Sequence, residues 1–218
     1  MERAFIVSIN TGRIEGLAHG SRVFRTGIRK RPAAGPVAVG RLGLAGDAIG
    51  DKRHHGGEDQ AIYAYSDDDY DWWRASTGRE FPPGTFGENL TLRGLPGDLA
   101  VGDRLLIGDV VLEATAPRIP CDTLSAHMGD AGFGMAFRRA ERPGSYFRVL
   151  HEGEIRAGDT VTLVPSSGPA VTMLELFRFK YALRHDAATL RCFLDAPLAE
   201  RFRADVERAL AKTDATSG

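Results

Sequence analysis

The stretch Val110-Val111-Leu112-Glu113-Ala114-Thr115-Ala116-Pro117-Arg118-Ile119-Pro120-Cys121 organises the rest of this 218-residue chain. Its first six residues, rich in β-branched and apolar side chains, predict a strand. The two prolines that follow restrict φ and remove backbone donors, so the strand should run into a stiff corner. Arg118 lies between the prolines and Cys121 lies at the exit. A cation beside a thiol favours the thiolate, which is the form that attacks electrophiles and binds metals.

A structural role for Cys121 is the alternative hypothesis, because a cysteine in a cytosolic protein is usually a small buried apolar residue. The other cysteine, Cys192, falls among the expected core positions of a C-terminal helix and needs no chemical role. Two cysteines in such different contexts do not indicate a disulfide framework. The neighbourhood of each cysteine therefore decides between the two hypotheses.

The overall composition is that of an ordinary globular protein. Hydrophobic residues make up 43% of the chain and charged residues 26%, and the formal net charge is −1. This balance offers no electrostatic reason to bind nucleic acid or an anionic membrane. The apolar run Phe5-Ile6-Val7 is too short for a signal sequence or a membrane span. We therefore expect a cytoplasmic protein with neither kind of partner.

Repeated turn signals predict many short strands. The dipeptide Gly-Asp occurs seven times, and it combines a residue that tolerates positive φ with a side chain that bonds to its own backbone. Closely spaced turns of this kind favour a β-barrel or a sandwich over a parallel sheet with crossover helices. The seven pairs begin at Gly46, Gly50, Gly97, Gly102, Gly108, Gly129 and Gly158.

Two polar segments in the first quarter of the chain are candidate binding loops. The basic cluster Thr26–Pro32 is either a solvated loop or an anion-binding loop. The run His54-His55-Gly56-Gly57 can present imidazole and backbone amides to one ligand. Adjacent residues of an extended chain point to opposite faces, so a zinc site built from both histidines is disfavoured. One structural and one functional histidine is the simpler hypothesis.

A third candidate segment, Phe86-Gly87-Glu88-Asn89-Leu90, leads into a strand. Its glycine suggests a close approach of the backbone to another strand or to a bound group. Asn89 offers both donors and acceptors to a ligand. Upstream of it, Ser66 has the spacing to cap a helix through the amide of Asp69.

The segment Pro165–Pro169 marks a change from the period of a strand to that of a helix. Beyond it, Thr172 and Glu175 form a capping box, and Asp186 can cap a second helix. Further apolar residues at helical spacing, from Leu198 onwards, predict a third. Three short helices bury little surface alone, so they should pack together or against the preceding domain.

At this point the chain resembles a known family. The segments that carry the resemblance are Asp51–Gln60, Phe86–Leu90, Pro117–Cys121 and Gly144–Leu150, in that order. They resemble the motifs of MOSC-domain proteins, named after the C-terminal domain of molybdenum cofactor sulfurase. The chain is similar to the stand-alone bacterial branch that includes 6-N-hydroxylaminopurine resistance proteins. Several weak motifs in a fixed order are much more specific than any one of them.

The resemblance implies a mainly β (α+β) fold. It predicts a MOSC-type β-barrel with short peripheral helices over residues 1–165 and a C-terminal three-helix segment over 170–212. It also implies a site for molybdenum cofactor (molybdopterin), in which Cys121 is the protein ligand to molybdenum and the catalytic residue. Lys30 is a candidate for the pterin phosphate. Arg118 could serve the same phosphate or hold the thiolate.

Other motif positions contribute to the implied cofactor site with roles that stay open. His55, Gly56 and Asn89 match such positions. Arg29 and the pair Asp122-Thr123 depart from the family pattern, and the second departure leaves the substrate preference open.

The resemblance implies a reductase of N-hydroxylated compounds such as hydroxylaminopurines and hydroxylamines. The chain has no cysteine cluster for an iron–sulfur centre and no Gly-x-Gly-x-x-Gly fingerprint, so electrons should come from a separate flavin or ferredoxin-type reductase. A carrier or sensor of the cofactor, or of its sulfurated form, would use the same residues. A hydrolase with Cys121 as nucleophile and His54 or His55 as base is a third hypothesis. The oligomeric state, monomer or homodimer, is left open.

Overall fold

The computed structural model describes residues 4–20, 22–50 and 56–216. Its main feature is an eight-stranded sheet, antiparallel except for one parallel pair of strands. Together with six helices, this sheet confirms the predicted α+β class. In spatial order its strands are β13 (Thr162–Val164), β9 (Arg104–Ile107), β10 (Val110–Pro117), β11 (Ser145–His151), β7 (Ile62–Ser66), β8 (Leu90–Arg93), β1 (Phe5–Thr11) and β4 (Arg31–Pro32).

Two smaller sheets flank the large one. The first contains β12 (Gly153–Ile155), β5 (Val37–Gly40) and β6 (Gly43–Leu44), in that order. The second is a hairpin of β2 (Glu15–His19) and β3 (Arg22–Thr26).

The two ends of the large sheet approach each other. A bridge joins Phe5 in β1 to Thr160, just before β13. The amide of Ile6 donates to the carbonyl of Asp159 at 3.0 Å, and the amide of Val161 donates to the carbonyl of Ala4 at 2.8 Å. These bonds join the segment before β13, the first strand in the order, to β1, the last but one, and closure of a sheet requires contacts of this kind. The closed barrel itself stays a prediction.

The strand predicted to run into the proline corner is confirmed as β10, and so is the turn at Gly108. Strands β9 and β10 pair around Gly108, whose φ of 57° suits a tight turn. On its other edge β10 pairs with β11, and the register shifts between Ala114 and Ala116. A bulge of this kind bends a strand and turns its end. Strand β10 therefore delivers Arg118 and Cys121 to the place where the sheet stops.

The helices between the strands differ from expectation in two ways. Helix α1 (Asp67–Thr77) starts where predicted, but Ser66 Oγ accepts from the amide of Asp68 rather than from that of Asp69. After α2 (Asp122–Met128), a helix α3 (Phe133–Ala140) begins at the end of the glycine-rich span 129–134, where the sequence indicated no helix. Two buried aromatic residues of α3, Phe133 and Phe137, pack on Trp73 and so stabilise the helix through tertiary contacts.

The C-terminal segment forms α4 (Met173–Phe179), α5 (Ala187–Leu194) and α6 (Glu200–Thr216). Both predicted caps are confirmed, since Thr172 and Glu175 form the capping box and Asp186 accepts from the amide of Thr189. Apolar residues of all three helices belong to the same core cluster as the large sheet. The division of the chain into two domains stays a prediction.

Cys192 is exposed, so the expectation that it lies in the core is wrong. Helix α5 buries Leu190 and Phe193. A residue two positions after Leu190 is rotated by about 200° around the helix axis and therefore faces solvent.

Within the described part of the chain, none of the helices has the length and apolar character needed to cross a membrane.

Candidate functional site

A cavity of about 640 Å³ lies at the end of β10. We call it the cysteine pocket. Its lining includes every predicted site residue that the structure describes: Lys30, Gly56, Asn89, Arg118 and Cys121. Segments that are far apart in the chain therefore meet at one surface. The remaining candidate, His55, and its neighbour His54 lie outside the described residues.

Cys121 lies between the proline corner and the first turn of α2. Its backbone is extended, with φ −133° and ψ 169°, and its carbonyl accepts from the amide of Leu124 at 2.9 Å. The side chain is partly exposed and lines the pocket. Cys121 is thus accessible from the pocket. The alternative hypothesis, that it is a buried apolar residue of the core, does not fit this position.

Arg118 is a buried cation of the site, with 5% of its surface exposed. Its Nη1 donates to the carbonyl of Phe86 at 2.5 Å, and its guanidinium lies 5.1 Å from the ring centre of Tyr63. Burial alone would lower the pKa of Arg118, but the combined influence of Tyr146, Tyr63 and Cys121 raises it. The guanidinium is therefore a permanent positive charge beside the thiol. Its Nε is buried and has no hydrogen-bond partner among the described residues.

Two tyrosines that the sequence analysis did not single out complete this wall. Tyr63 and Tyr146 line the pocket, with ring centres 5.0 Å apart. Burial raises the pKa of both phenols, and Arg118 opposes that shift. Both therefore stay protonated at neutral pH. The only sequence signal was the place of Tyr146 within the family segment Gly144–Leu150.

Asp47 is the third residue that the sequence analysis missed. It lines the pocket, and its carboxylate accepts from three donors: Lys30 Nζ at 2.5 Å, Asn89 Nδ2 at 2.8 Å and the amide of Gly12 at 2.8 Å. Its Gly-Asp pair predicted only a turn. The carboxylate is instead the common acceptor for two candidate site residues.

Asn89 joins strands as well as lining the pocket. Its Oδ1 accepts from the amide of Tyr63 at 3.1 Å, and its Nδ2 also reaches the carbonyl of Asn10 at 3.4 Å. These bonds connect β7 and β1 beside the pocket. The amide expected to contact a ligand therefore also has a structural role.

Two glycines allow close approach at the pocket wall. Gly56 has φ 73°, and a Cβ there would lie 2.6 Å from Ile49 Cδ1. Gly87 has φ 76°, and a Cβ there would lie 3.0 Å from Ile28 Cγ1 and 3.3 Å from Arg118 Nη1. Side chains are disfavoured at both positions by backbone conformation and by space. The motif glycines thus bring their backbone next to Ile49 and Arg118.

The segment that carries Gly87 is held by buried contacts on both sides. The ring of Phe86 stacks on Tyr65 with centres 4.6 Å apart. Glu88 is fully buried, and its Oε1 accepts from Tyr70 Oη at 2.5 Å and from the amide of Gly84 at 2.6 Å. Burial raises the pKa of Glu88. These contacts keep the carbonyl of Phe86 in place for Arg118.

Comparisons with known proteins identify the family of the chain. The MOSC domain model matches residues 51–162. The chain is 32% identical over 208 residues to YflK of Bacillus subtilis, covering 93% of each chain. A Gibberella moniliformis protein named "Reductase" is 32% identical over 178 residues, which are 79% of this chain and 31% of that protein.

The fold also matches solved structures. The crystal structure of YiiM from Geobacillus stearothermophilus superimposes with a TM-score of 0.79 and 32% sequence identity, covering 95% of this chain and 99% of that one. Similarity therefore extends through the C-terminal helices as well as the strands. Together, the matched domain model and the full-length relatives show that this chain belongs to the MOSC-domain family.

Proposed function

We propose that the protein is a molybdenum-cofactor-dependent reductase of N-hydroxylated compounds, including hydroxylaminopurines and hydroxylamines. The observation that carries the proposal is the position of Cys121 at the wall of the cysteine pocket, beside the buried guanidinium of Arg118. A thiol near a permanent positive charge is favoured as thiolate, and a thiolate is a good ligand for a soft metal. The name of the Gibberella relative supports an oxidoreductase.

The pocket suits the cofactor in size and charge. A volume of about 640 Å³ lies within the usual range for sites of cofactors and small ligands. Three cationic side chains and two carboxylates line it, namely Arg25, Lys30 and Arg118 with Asp47 and Asp122. This excess of positive charge suits a phosphorylated ligand. The buried Arg118 Nε without a partner among the described residues is a donor that a bound group could satisfy.

Six pocket residues have proposed tasks. Cys121 would hold the metal, and Arg118 would stabilise the thiolate. Lys30 would serve the pterin phosphate, while Asp47 keeps the ammonium at the pocket wall. Asn89 would bind the pterin through the edge of its amide. Gly56 would allow the ligand to approach the backbone.

We assign to His55 a place at the same site, on the resemblance alone. Its neighbour in sequence, Gly56, lines the pocket. The roles of His54 and His55 are testable by replacing each with glutamine and measuring cofactor content.

The reaction is a two-electron reduction that cleaves the N–O bond. The hydroxylated nitrogen takes up two electrons and two protons, and it yields the N–H compound and one water. When bound, the molybdenum cofactor supplies the two-electron chemistry. The protein binds the substrate, maintains the thiolate and restricts access of water. Electrons come from a separate flavin or ferredoxin-type reductase, so the purified protein with NAD(P)H alone should be inactive.

The test uses protein isolated from a host that makes the cofactor, with Cys121→Ser as the variant. We expect molybdenum in the wild-type protein by elemental analysis, turnover of hydroxylamine with an added electron donor, and loss of both in the variant. Circular dichroism should show the same fold for the two proteins. Normal molybdenum content and turnover in Cys121→Ser would refute the site.

The same experiment separates the alternatives. Molybdenum without turnover of any N-hydroxylated compound would favour the carrier or sensor. Activity in metal-free protein, with trapping of Cys121 by an acyl substrate, would favour the hydrolase.

A further inference from the structure

A second cavity adjoins the cysteine pocket on the side of the C-terminal helices. It measures about 320 Å³ and lies between residues 56–60 and the first residues of α6. We call it the side chamber. It shares Gly56 and Gln60 with the cysteine pocket. The two cavities are therefore neighbouring parts of one surface, and the C-terminal helices supply one wall of it.

The contact between the two walls is polar. Arg201, in the first turn of α6, donates from Nη1 to Oε1 of Gln60 at 3.4 Å. Burial raises the pKa of Tyr146 in the cysteine pocket, and the positive charge of Arg201 acts on that pKa in the opposite direction. The guanidinium of Arg201 and the primary amide of Gln60 are planar groups that together carry several donors and one acceptor. Such a pair suits the edge of a flat nitrogen heterocycle.

The backbone of α6 is held firmly at this point. The amide of Glu200 donates to Asp59 Oδ2 at 2.7 Å, and the amide of Ala199 donates to the carbonyl of Thr115 at 3.1 Å. Asp59 also accepts from Arg148 at 3.0 Å. Arg201 thus starts from a backbone fixed to the sheet. A recognition residue needs that kind of support.

The other wall leaves room for a ring. Gly57 lines the chamber with φ 85°, and no described atom lies within 4 Å of the place where its Cβ would be. A planar group can therefore approach the backbone at this position.

The charge of the chamber limits what it can bind. Its lining carries one cation, Arg201, and three carboxylates, those of Glu58, Asp59 and Glu200. Glu58 pairs with Arg41 at 2.8 Å, and both oxygens of Asp59 have donors. Arg41 and Arg148 therefore offset the charges of Glu58 and Asp59, and among the described lining residues Arg201 and Glu200 remain as one charge of each sign. An uncharged ring with acceptor atoms suits a lining whose charges are balanced in this way.

From these observations we infer that the side chamber is the subsite for the heterocyclic ring of the substrate, and that Arg201 and Gln60 bind the edge of that ring. This inference rests on the proposed function. It assigns to the C-terminal helices a part in substrate selection through a residue that the family motifs do not include.

The experiment compares wild-type protein with Arg201→Gln and with the control Arg208→Gln, which removes the same charge further along α6. All are isolated from a cofactor-producing host. Binding of 6-hydroxylaminopurine is measured by calorimetry on oxidised protein. Turnover of the base and of hydroxylamine is measured with reduced methyl viologen. Thermal melting verifies that each variant is folded.

We expect Arg201→Gln to weaken binding of the base by about tenfold, the size of one charged hydrogen bond. Arg208→Gln should behave as wild type. No binding of the base to the wild-type protein, or equal behaviour of the two variants, would overturn the inference.

The two failures are distinguishable. If binding of the base depends on Arg201 but no N-hydroxylated compound is turned over, the subsite is supported and the reductase function is refuted. If hydroxylamine is turned over but binding of the base does not depend on Arg201, the reductase function is supported and the subsite is refuted.

Discussion

The ammonium of Lys30 lies 2.5 Å from both carboxylate oxygens of Asp47, and each side chain is only 7% exposed. Burial lowers the pKa of Lys30, and the carboxylate of Asp47 works against that shift. The pair is thus a buried ion pair at the wall of the cysteine pocket. Such pairs contribute little over an apolar replacement, but breaking one leaves an uncompensated charge.

Asp47→Asn should therefore destabilise the protein by about 3 kcal/mol, because it leaves the ammonium of Lys30 buried without a counter-charge. The measurement is the free energy of unfolding in urea. The double variant Lys30→Met/Asp47→Asn removes both charges and should recover most of the loss. If the double variant is as unstable as the single one, the ion pair is not the cause.

A second prediction concerns the attachment of the C-terminal helices. Arg148 joins Glu113 in β10 at 3.3 Å, Asp59 at 3.0 Å, and the carbonyls of Pro197 and Leu198 at 3.1 and 3.2 Å. Arg148→Ala should lower the free energy of unfolding by about 2 kcal/mol, because several buried acceptors lose their donor. It should also speed amide exchange in the first turns of α6.

Arg156 provides the matched control for that prediction. Its side chain is 63% exposed, and it pairs with Glu154 at 3.4 Å. Arg156→Ala should change the stability by less than about 0.5 kcal/mol. Similar losses in both variants would show that Arg148 has no special role in holding the helices.

The third prediction is a dependence of stability on pH. The pKa of His127 in α2 is lowered, first by burial and then by the positive charges of Arg29 and Arg118. The unfolded chain therefore binds a proton at higher pH than the folded chain does. Stability should fall as the pH drops below about 6.5, the value for an unperturbed histidine.

His127→Gln should remove this contribution, so that its free energy of unfolding changes less between pH 7.5 and 5.5 than that of the wild type. The measurement is urea unfolding at the two pH values. An unchanged slope in His127→Gln would contradict the assignment.

The fourth prediction tests the backbone of the family motif. Gly56→Ala should destabilise the protein by about 2 kcal/mol, because φ is 73° and the new methyl group would lie 2.6 Å from Ile49 Cδ1. It should also reduce the molybdenum content of the isolated protein. Gly97→Ala, where no described atom lies within 4 Å of the added Cβ, should be close to neutral. Equal effects at the two positions would argue against a special conformation at Gly56.

Local pattern was enough to predict many elements of the fold. The hairpin around Gly108 and the capping box of Thr172 and Glu175 depend on residues that are neighbours in the chain. Helix α3 was not predictable in this way, since Phe133 and Phe137 are held by contacts with Trp73 in a distant segment.

The candidate site likewise contains some residues that local pattern predicted and others that it did not. The candidate residues of the motifs line one cavity where the structure describes them, whereas Asp47, Tyr63 and Arg201 carried no signal that separated them from a turn, a strand and a solvated helix face. Their importance comes from what lies opposite them across the fold: Lys30 for Asp47, Arg118 for Tyr63 and Gln60 for Arg201.

By itself, then, the sequence determined the family, the short strands joined by Gly-Asp turns, the rigid proline corner and the identity of the thiol, because each of these follows from residue types at short spacing. Only the tertiary structure decided which charges meet. The pairing of Lys30 with Asp47 and the position of α6 beside the pocket depend on contacts between distant segments, and burial determines the strength of those contacts.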